Sequence, residues 1–118
     1  MKSRNRLLLV ESTDSDTHVV VSEDERILID EQVKHTTGEI MIRKEDVLGA
    51  LHTMGMNLTK LSAVVSFTTI SSAGSRELAH LISEQLNISV LHMGEYHTEH
   101  NVADVIRASL KLLSHENM

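Results

Sequence analysis

The sequence predicts an α/β domain built on a mixed β-sheet, with an α+β arrangement as the close alternative, and three observations support this. Short apolar and β-branched runs separated by polar turns fill residues 6–33, as in an antiparallel meander. The near-continuous apolar run LSAVVSFTT at 61–69 is typical of a centre strand covered on both faces. Helical periodicity appears on either side of that run. The predicted order is therefore βββαβαβ, followed by a last segment that we expect to be a helix.

Composition limits the classes of function. The chain has 118 residues without repeat or linker, so we expect residues 1–118 to form one domain. Aromatic residues make up 2% of the chain, which leaves no stacking platform for single-stranded nucleic acid, and a net charge of -6 disfavours a phosphate backbone. No apolar stretch approaches the ~20 residues of a membrane span. Zero cysteine fits a reducing compartment, so we expect a cytoplasmic protein that binds neither nucleic acid nor membrane.

The first three strands are predicted at 6–11 (RLLLVE), 17–22 (THVVVS) and 26–33 (RILIDEQV). The polar clusters STDSD and SEDE between them mark turns. Alternation along the third strand predicts that Ile27 and Ile29 lie on one face of the sheet.

The next segment has two interpretations. EIMIR at 39–43 is either a fourth strand or the start of a helix that continues through KEDVLGALHTM, with the helix proper at 44–55. In the helical interpretation Thr37 is an acceptable N-cap and Gly55 suits the C-terminal cap. The buried stripe would then contain Ile40, Val47, Leu48, Leu51 and Met54.

The second half alternates more clearly. A helix is predicted at 76–86 and a strand at 88–91, and residues 101–113 are helix or strand, with Ala, Leu, Lys and Arg favouring helix. Asn101 would cap that helix. Two architectures share this order: a ribonuclease-H-like or actin-like sheet with helices on both faces, and a chorismate-mutase-like sheet with helices on one face that packs into a trimer. The state of residues 101–113, helix or strand, distinguishes the two architectures.

The stretch LHMGEYHTEH at 91–100 is the most chemically loaded part of the sequence. His92, His97 and His100 are candidate ligands for a divalent metal ion, because imidazole nitrogen binds zinc and similar ions. Their spacing matches no established zinc motif, and cysteine ligands are absent from the chain. The alternative is a polar loop between a strand and a helix.

The stretch SSAGS at 71–75 lies between a predicted strand and a predicted helix. Backbone N–H groups at a helix amino terminus favour anions, so Ser71, Ser72, Gly74 and Ser75 are candidate ligand-binding residues for a small carboxylate or phosphate. The Gly-Lys-Ser/Thr of a Walker loop is absent. The alternative is a structural connection capped by Ser75.

Residues 6–88 resemble the amino-terminal half of the actin-like partner protein in tRNA threonylcarbamoyladenosine modification. LLLVESTDSDTHVVVSEDERIL resembles the opening hairpin of that family, and His35 resembles the histidine before its first helix. FTTISSAG stands where the family has a Gly-rich signature. The resemblance implies an actin-like fold and a role in a protein assembly.

Residues 61–112 are similar to the monofunctional trimeric chorismate mutases, through SAVVSFTT, ISVLHMGEY and DVIRASLKLL in that order. In that family a glutamate leaving a strand and an arginine on the final strand line the active site, and Glu95 and Arg107 match those places. The family's amino-terminal arginine motif has no clear counterpart. The resemblance implies catalytic roles for Glu95 and Arg107, with the arginine stabilising negative charge in a pericyclic transition state.

These observations predict a small oligomeric α/β module for binding or assembly, with a small anion as a possible ligand. The alternatives are an isomerase of the chorismate-mutase type and a divalent-metal-binding protein. Apolar strands in a sheet of four to five strands leave exposed edges, so we expect a homodimer or homotrimer.

Overall fold

A computed structural model describes residues 5–13, 15–67, 73–93 and 102–116. In these ranges the chain forms a five-stranded sheet, three α-helices and one short 3₁₀ turn. Their bounds are β1 Arg6–Ser12, β2 Asp16–Glu23, β3 Arg26–Lys34, α1 Ile40–Thr53, the turn Leu58–Lys60, β4 Ala63–Ser66, α2 Ala73–Leu86, β5 Ser89–His92 and α3 Val102–Glu116.

The sheet is mixed, as predicted, with strand order β3-β2-β1-β4-β5. β1, β2 and β3 form the predicted antiparallel meander, and β4 and β5 run parallel to β1. Because β1, β4 and β5 are parallel neighbours, their carboxyl ends meet at one edge of the sheet.

Helices cover both faces of the sheet, and each face has its own aliphatic core. Alternate residues of β1 point to opposite faces, so Leu8 and Val10 pack in one core and Leu7 and Leu9 in the other. The first core lies under α1 and α2, where Val47, Leu51, Leu78 and Ile82 are fully buried. The second core lies under α3 and contains Val20, Val65, Phe67, Val105, Ile106 and Leu113.

The ambiguous segment at 39–43 belongs to a helix, because α1 begins at Ile40. Thr37 is not the N-cap as predicted: Glu39 holds that position, and the Thr37 hydroxyl accepts the Glu39 N–H at 3.2 Å. Gly55 follows the helix end with a φ of 81°, in the left-handed region that glycine favours. Met54 is 41% exposed, so its predicted place in the buried stripe is wrong: it lies beyond the last helical turn.

Two later elements differ from the predicted bounds. β4 begins at Ala63 and not at Leu61, because the turn at 58–60 still binds the Leu61 N–H through the carbonyl of Leu58. Residues 68–72 lie outside the described part, so the predicted carboxyl end of that strand does too. α2 begins at Ala73, earlier than the predicted start at 76.

The last segment is the helix α3, which decides between the two interpretations of 101–113. Its predicted cap, Asn101, lies outside the described residues. Val102, Val105, Ile106, Leu110 and Leu113 pack on the second core as predicted. In the described parts of the chain, no helix is both long and apolar enough to cross a lipid bilayer.

A β-bulge interrupts the pairing of β2 with β3. Val21 lies opposite Ile29, but the next residue, Ser22, lies opposite Ile27, so Leu28 is an extra residue. Val21 and Ser22 point to opposite faces, and Ile27 and Ile29 therefore do as well. The prediction that they share a face is wrong, and Ile27 is 44% exposed.

Candidate functional site

The carboxyl edge of the sheet carries a concentration of polar side chains. Ser12, Ser66 and His92 end the three parallel strands, and Ser66 is the register partner of both Val10 and His92. Open α/β sheets bind ligands outside the carboxyl ends of their strands. We therefore take this edge as the candidate site.

A buried hydrogen-bond chain begins at this edge and joins four elements. The Ser12 hydroxyl lies 2.9 Å from the hydroxyl of Thr17, which lies 2.6 Å from Nε2 of His35. Nδ1 of His35 lies 2.9 Å from the Asp46 carboxylate on α1. Ser12, Thr17 and the His35 side chain are each 0% exposed, so these bonds are shielded from water.

Arg43 fixes one end of this chain, because a guanidinium only donates hydrogen bonds. The direction of the bonds between Ser12, Thr17 and His35 follows the tautomer of the imidazole ring. At the Arg43 end, the guanidinium donates from Nη1 to the Ser12 oxygen at 3.1 Å. The Ser12 oxygen therefore accepts from Arg43, and its hydroxyl can donate to the Thr17 oxygen or to the Thr13 carbonyl at 3.2 Å.

Arg43 is the charged centre of the site. It is 7% exposed, and besides Ser12 its bonds are from Nε to the Gly38 carbonyl at 3.1 Å and from Nη1 to the Thr13 carbonyl at 3.5 Å. These acceptors are neutral. Among the described residues, no carboxylate forms an ion pair with it.

The first turn of α2 lies directly against Arg43. The Ser12 N–H donates to the Ser75 hydroxyl at 2.8 Å, which ties α2 to the end of β1. A Cβ atom on Gly74 would lie 2.8 Å from Nη1 of Arg43, closer than real Cβ contacts. Glycine at this position therefore lets the guanidinium reach the helix backbone.

The order Thr17–His35–Asp46 has the connectivity of a nucleophile, a base and an orienting acid. Catalysis of that kind requires a nucleophile that a substrate can reach. Thr17 is 0% exposed and its oxygen already bonds to Ser12, so it is enclosed by protein on all sides. This chain is therefore a support for Arg43 and the strand ends.

His92, the first of the three predicted metal ligands, lies at this edge on β5. Its Nδ1 lies 2.7 Å from the Ser66 hydroxyl. Partial burial lowers the pKa of His92, and the positive charges of Arg76 and His80 lower it further. His97 and His100 lie outside the described residues, and within the described ranges no group of three potential ligands could hold a metal ion.

Arg107, predicted to be catalytic, lies at the opposite edge. It is on α3 and forms ion pairs with Asp104 and with Glu25, in the turn between β2 and β3. That turn is beside Arg6, the first residue of β1, so it marks the amino edge of the sheet. Glu95, its predicted companion, lies outside the described residues.

The structure places Gly74, Ser75 and His92 at one edge of the sheet, whereas in the sequence the serine–glycine stretch and the histidine stretch were separate candidates. Ser71 and Ser72 lie outside the described residues. Sequence reasoning missed Arg43, Asp46, Ser12 and Thr17. The position of Arg43 could have been found from the helical pattern. It precedes Val47 by one helical turn and therefore lies on the buried stripe of α1.

No protein-family model matches the chain. Among solved structures, it is similar to YeaZ from Pseudomonas aeruginosa, with a TM-score of 0.54 and 16% identity over 76% of this chain and 45% of that chain. A second structure, an uncharacterized protein with similarity to peptidase YEAZ from Pseudomonas aeruginosa, has a TM-score of 0.52 and 16% identity, over 76% and 43% of the two chains. A Bacteroides thetaiotaomicron protein of unknown function with an actin-like ATPase fold has a TM-score of 0.53 and 8% identity, over 89% of this chain and 37% of that chain.

These likenesses establish the fold. The chain has an actin-like, ribonuclease-H-like α/β fold, which confirms that predicted architecture and the actin-like resemblance at the level of fold. The chorismate-mutase alternative is not supported, since the segment it needs as a strand is α3. The chain spans less than half the length of each of these three structures, 45%, 37% and 43%.

Proposed function

We propose that the chain, residues 1–118, is a single-domain module for binding and assembly that holds a small anion at the carboxyl edge of its sheet and acts as a homo-oligomer. The ligand would be a carboxylate or phosphate group bound beside Arg43 at the amino end of α2. The predicted residues Ser71, Ser72, Gly74 and Ser75 would supply backbone N–H groups, while the Ser75 hydroxyl holds the end of β1.

The observation that carries this proposal is the burial of Arg43. A guanidinium that is 7% exposed loses most of its hydration, and neutral acceptors compensate only part of that loss. An anion beside Nη1 would supply an opposite charge, which none of the described residues supplies in an ion pair with it. The amino end of α2, which Gly74 brings within contact of the guanidinium, adds the positive end of a helix dipole.

The site has the position that ligands take in this class of sheet. Parallel strands β1, β4 and β5 end there, and the buried chain from Ser12 to Asp46 fixes the geometry around Arg43 before a ligand arrives. Such preorganisation lowers the conformational cost of binding.

The test is titration with inorganic phosphate and sulfate, followed by calorimetry and by chemical shifts of the amides of residues 73–76, with sodium chloride at matched ionic strength as reference. We expect saturable binding that Arg43→Gln weakens by about tenfold or more, because a charged hydrogen-bond donor is lost. Lys111→Gln, which removes an exposed positive charge from α3, is the matched control.

Arg43→Lys is a second variant, which keeps the charge if Arg43→Gln fails to fold. It should bind the anions more weakly than the wild type, because lysine lacks the planar fork of donors. Absence of saturable binding, or equal loss in Arg43→Gln and Lys111→Gln, would contradict the proposal.

A further inference from the structure

β3 is the longer of the two outer strands of the sheet. It has nine residues, against four in β5, and seven of its residues are exposed. Among the described residues, no strand pairs with its outer side. Its unpaired N–H and C=O groups are therefore free to add another strand.

The bulge divides this edge into two parts. Leu28 interrupts the regular geometry near the start of the strand, whereas residues 29–34 pair with β2 in an unbroken register from Val21 to Asp16. Within that regular part, Ile29 and Val33 pack on the first core, so Glu31 lies on the same face. Asp30, Gln32 and Lys34 lie on the other face.

We propose that two copies of this chain join through antiparallel pairing of the regular part of β3, with the two-fold axis at Gln32. The inference rests on the oligomeric part of the proposed function and names its interface. Pairing of this kind would extend the sheet continuously across both copies and remove the longer exposed edge of each.

Charge selects the register. A two-fold axis perpendicular to the sheet places each residue opposite one on the same face, so the axis must pass through a residue of the strand. An axis at Asp30 or at Glu31 would set two identical carboxylates against each other. An axis at Ile29 would draw the bulge into the pairing.

An axis at Gln32 places Asp30 opposite the partner's Lys34, and by symmetry Lys34 opposite the partner's Asp30. Glu31 then lies opposite the partner's Val33, so no like charges lie directly opposite each other. An axis at Val33 would place Glu31 opposite the partner's His35, whose ring is already bonded to Thr17 and Asp46. The axis at Gln32 is therefore the register that forms two ion pairs and sets no like charges directly opposite each other.

Asp30 can accept this partner while keeping its present one. One carboxylate oxygen lies 2.6 Å from Nε2 of His18, and the side chain is 54% exposed. The second oxygen can therefore accept a hydrogen bond from the partner's Lys34, which is an exposed residue. Neither ion pair requires the hairpin to rearrange.

The experiment measures mass by light scattering and the monomer–dimer midpoint by sedimentation. Asp30→Lys places lysine opposite lysine in both symmetric pairs, and Lys34→Asp places aspartate opposite aspartate. Each variant alone should dimerise about tenfold more weakly, because both attractive pairs become repulsive. An equimolar mixture of the two variants should form heterodimers, since every facing pair is then of opposite charge. Glu77→Lys is the control, because it changes the net charge by the same amount as Asp30→Lys at an exposed position on α2. It should dimerise as the wild type does.

Variants that dimerise as tightly as the wild type, or a mixture that stays monomeric, would overturn this interface while a wild-type dimer still supports the proposed oligomer. A wild-type monomer at high concentration would overturn both the interface and the oligomeric proposal. Anion binding at Arg43 is measured separately and is unaffected by either result.

Discussion

Nδ1 of His35 lies 2.9 Å from Oδ2 of Asp46, and this bond joins the end of the β2–β3 hairpin to the helix α1 that packs over it. The His35 ring is 0% exposed, while the Asp46 side chain is 32% exposed. The bond therefore runs from the interior to the surface and orients the ring so that Nε2 meets Thr17. Removing any member of the chain leaves a buried polar group without its partner.

Thr17→Val is the cleanest disruption of that chain, because valine keeps the shape of threonine and removes its hydroxyl. The Ser12 hydroxyl and His35 Nε2 would then lose a bond in a dry environment, at about 1–3 kcal/mol of the free energy of unfolding. Thr53→Val, at the exposed end of α1, should change that free energy by less than about 0.5 kcal/mol. Urea unfolding of both variants checks the difference, and equal stabilities would show that the buried bonds contribute nothing.

Gly74→Ala and Gly49→Ala form a matched pair of helical substitutions. Nothing lies within 4 Å of a Cβ at Gly49, so alanine there should stabilise the protein by about 0.5–1 kcal/mol through helix propensity. At Gly74 the new Cβ would displace Nη1 of Arg43, so we expect the gain to be absent or reversed and phosphate binding to weaken. Thermal unfolding and phosphate titration measure the two effects. If Gly74→Ala gains as much as Gly49→Ala and binds phosphate equally well, the guanidinium is not held in place.

The parts of the fold that sequence reasoning predicted depend on local patterns. The three-strand meander follows from short apolar runs and polar turns, and Gly55 marks the end of α1 because a left-handed residue is needed there. The segment at 39–43 was ambiguous, since Ile40 and Ile42 suit a strand equally well. Its helical state is decided by tertiary packing, through the burial of Arg43 and Val47 on one face.

The features that sequence reasoning missed depend on contacts between distant residues. Ser12 and Ser75 are separated by 63 positions, and Ser12 and Arg43 by 31, so no local pattern relates them. The bulge in β3 is also a consequence of pairing, and nothing in RILIDEQV marks Leu28 as the extra residue. Placement at strand ends was predictable for Gly74, Ser75 and His92, because topology alone brings the carboxyl ends of parallel strands together.

His92 should make stability depend on pH. Burial and the positive charges of Arg76 and His80 lower the pKa of His92 below its usual 6.5, so the unfolded chain binds more protons as pH falls through that value. The free energy of unfolding should therefore decrease as pH is lowered below about 6.5, and His92→Asn should reduce this dependence. His52→Asn, an exposed histidine on α1, is the control. If the free energy of unfolding depends on pH in the same way for the wild type and His92→Asn, His92 is protonated equally in the folded and unfolded states.

The histidine-rich stretch at 91–100 should bind divalent metal weakly. His92 engages Ser66 through Nδ1, and the positive charge of Arg76, which lowers the pKa of His92, also opposes a nearby metal cation. We expect zinc and nickel to bind no more tightly than about 1 μM, far below the affinity of structural zinc sites, and to be displaced by protons as the imidazoles become charged. Calorimetry at neutral pH measures this affinity.

Replacement of His97 and His100 by alanine tests whether that binding comes from the stretch. The control replaces His52, an exposed histidine on α1. We expect the first double variant to lose the weak binding, the control to keep it, and a triple variant that also replaces His92 to remain folded by circular dichroism. Submicromolar zinc affinity in the wild type would contradict this prediction. If the triple variant also unfolds, a metal centre in this stretch stabilises the domain, because a structural site couples metal affinity to folding.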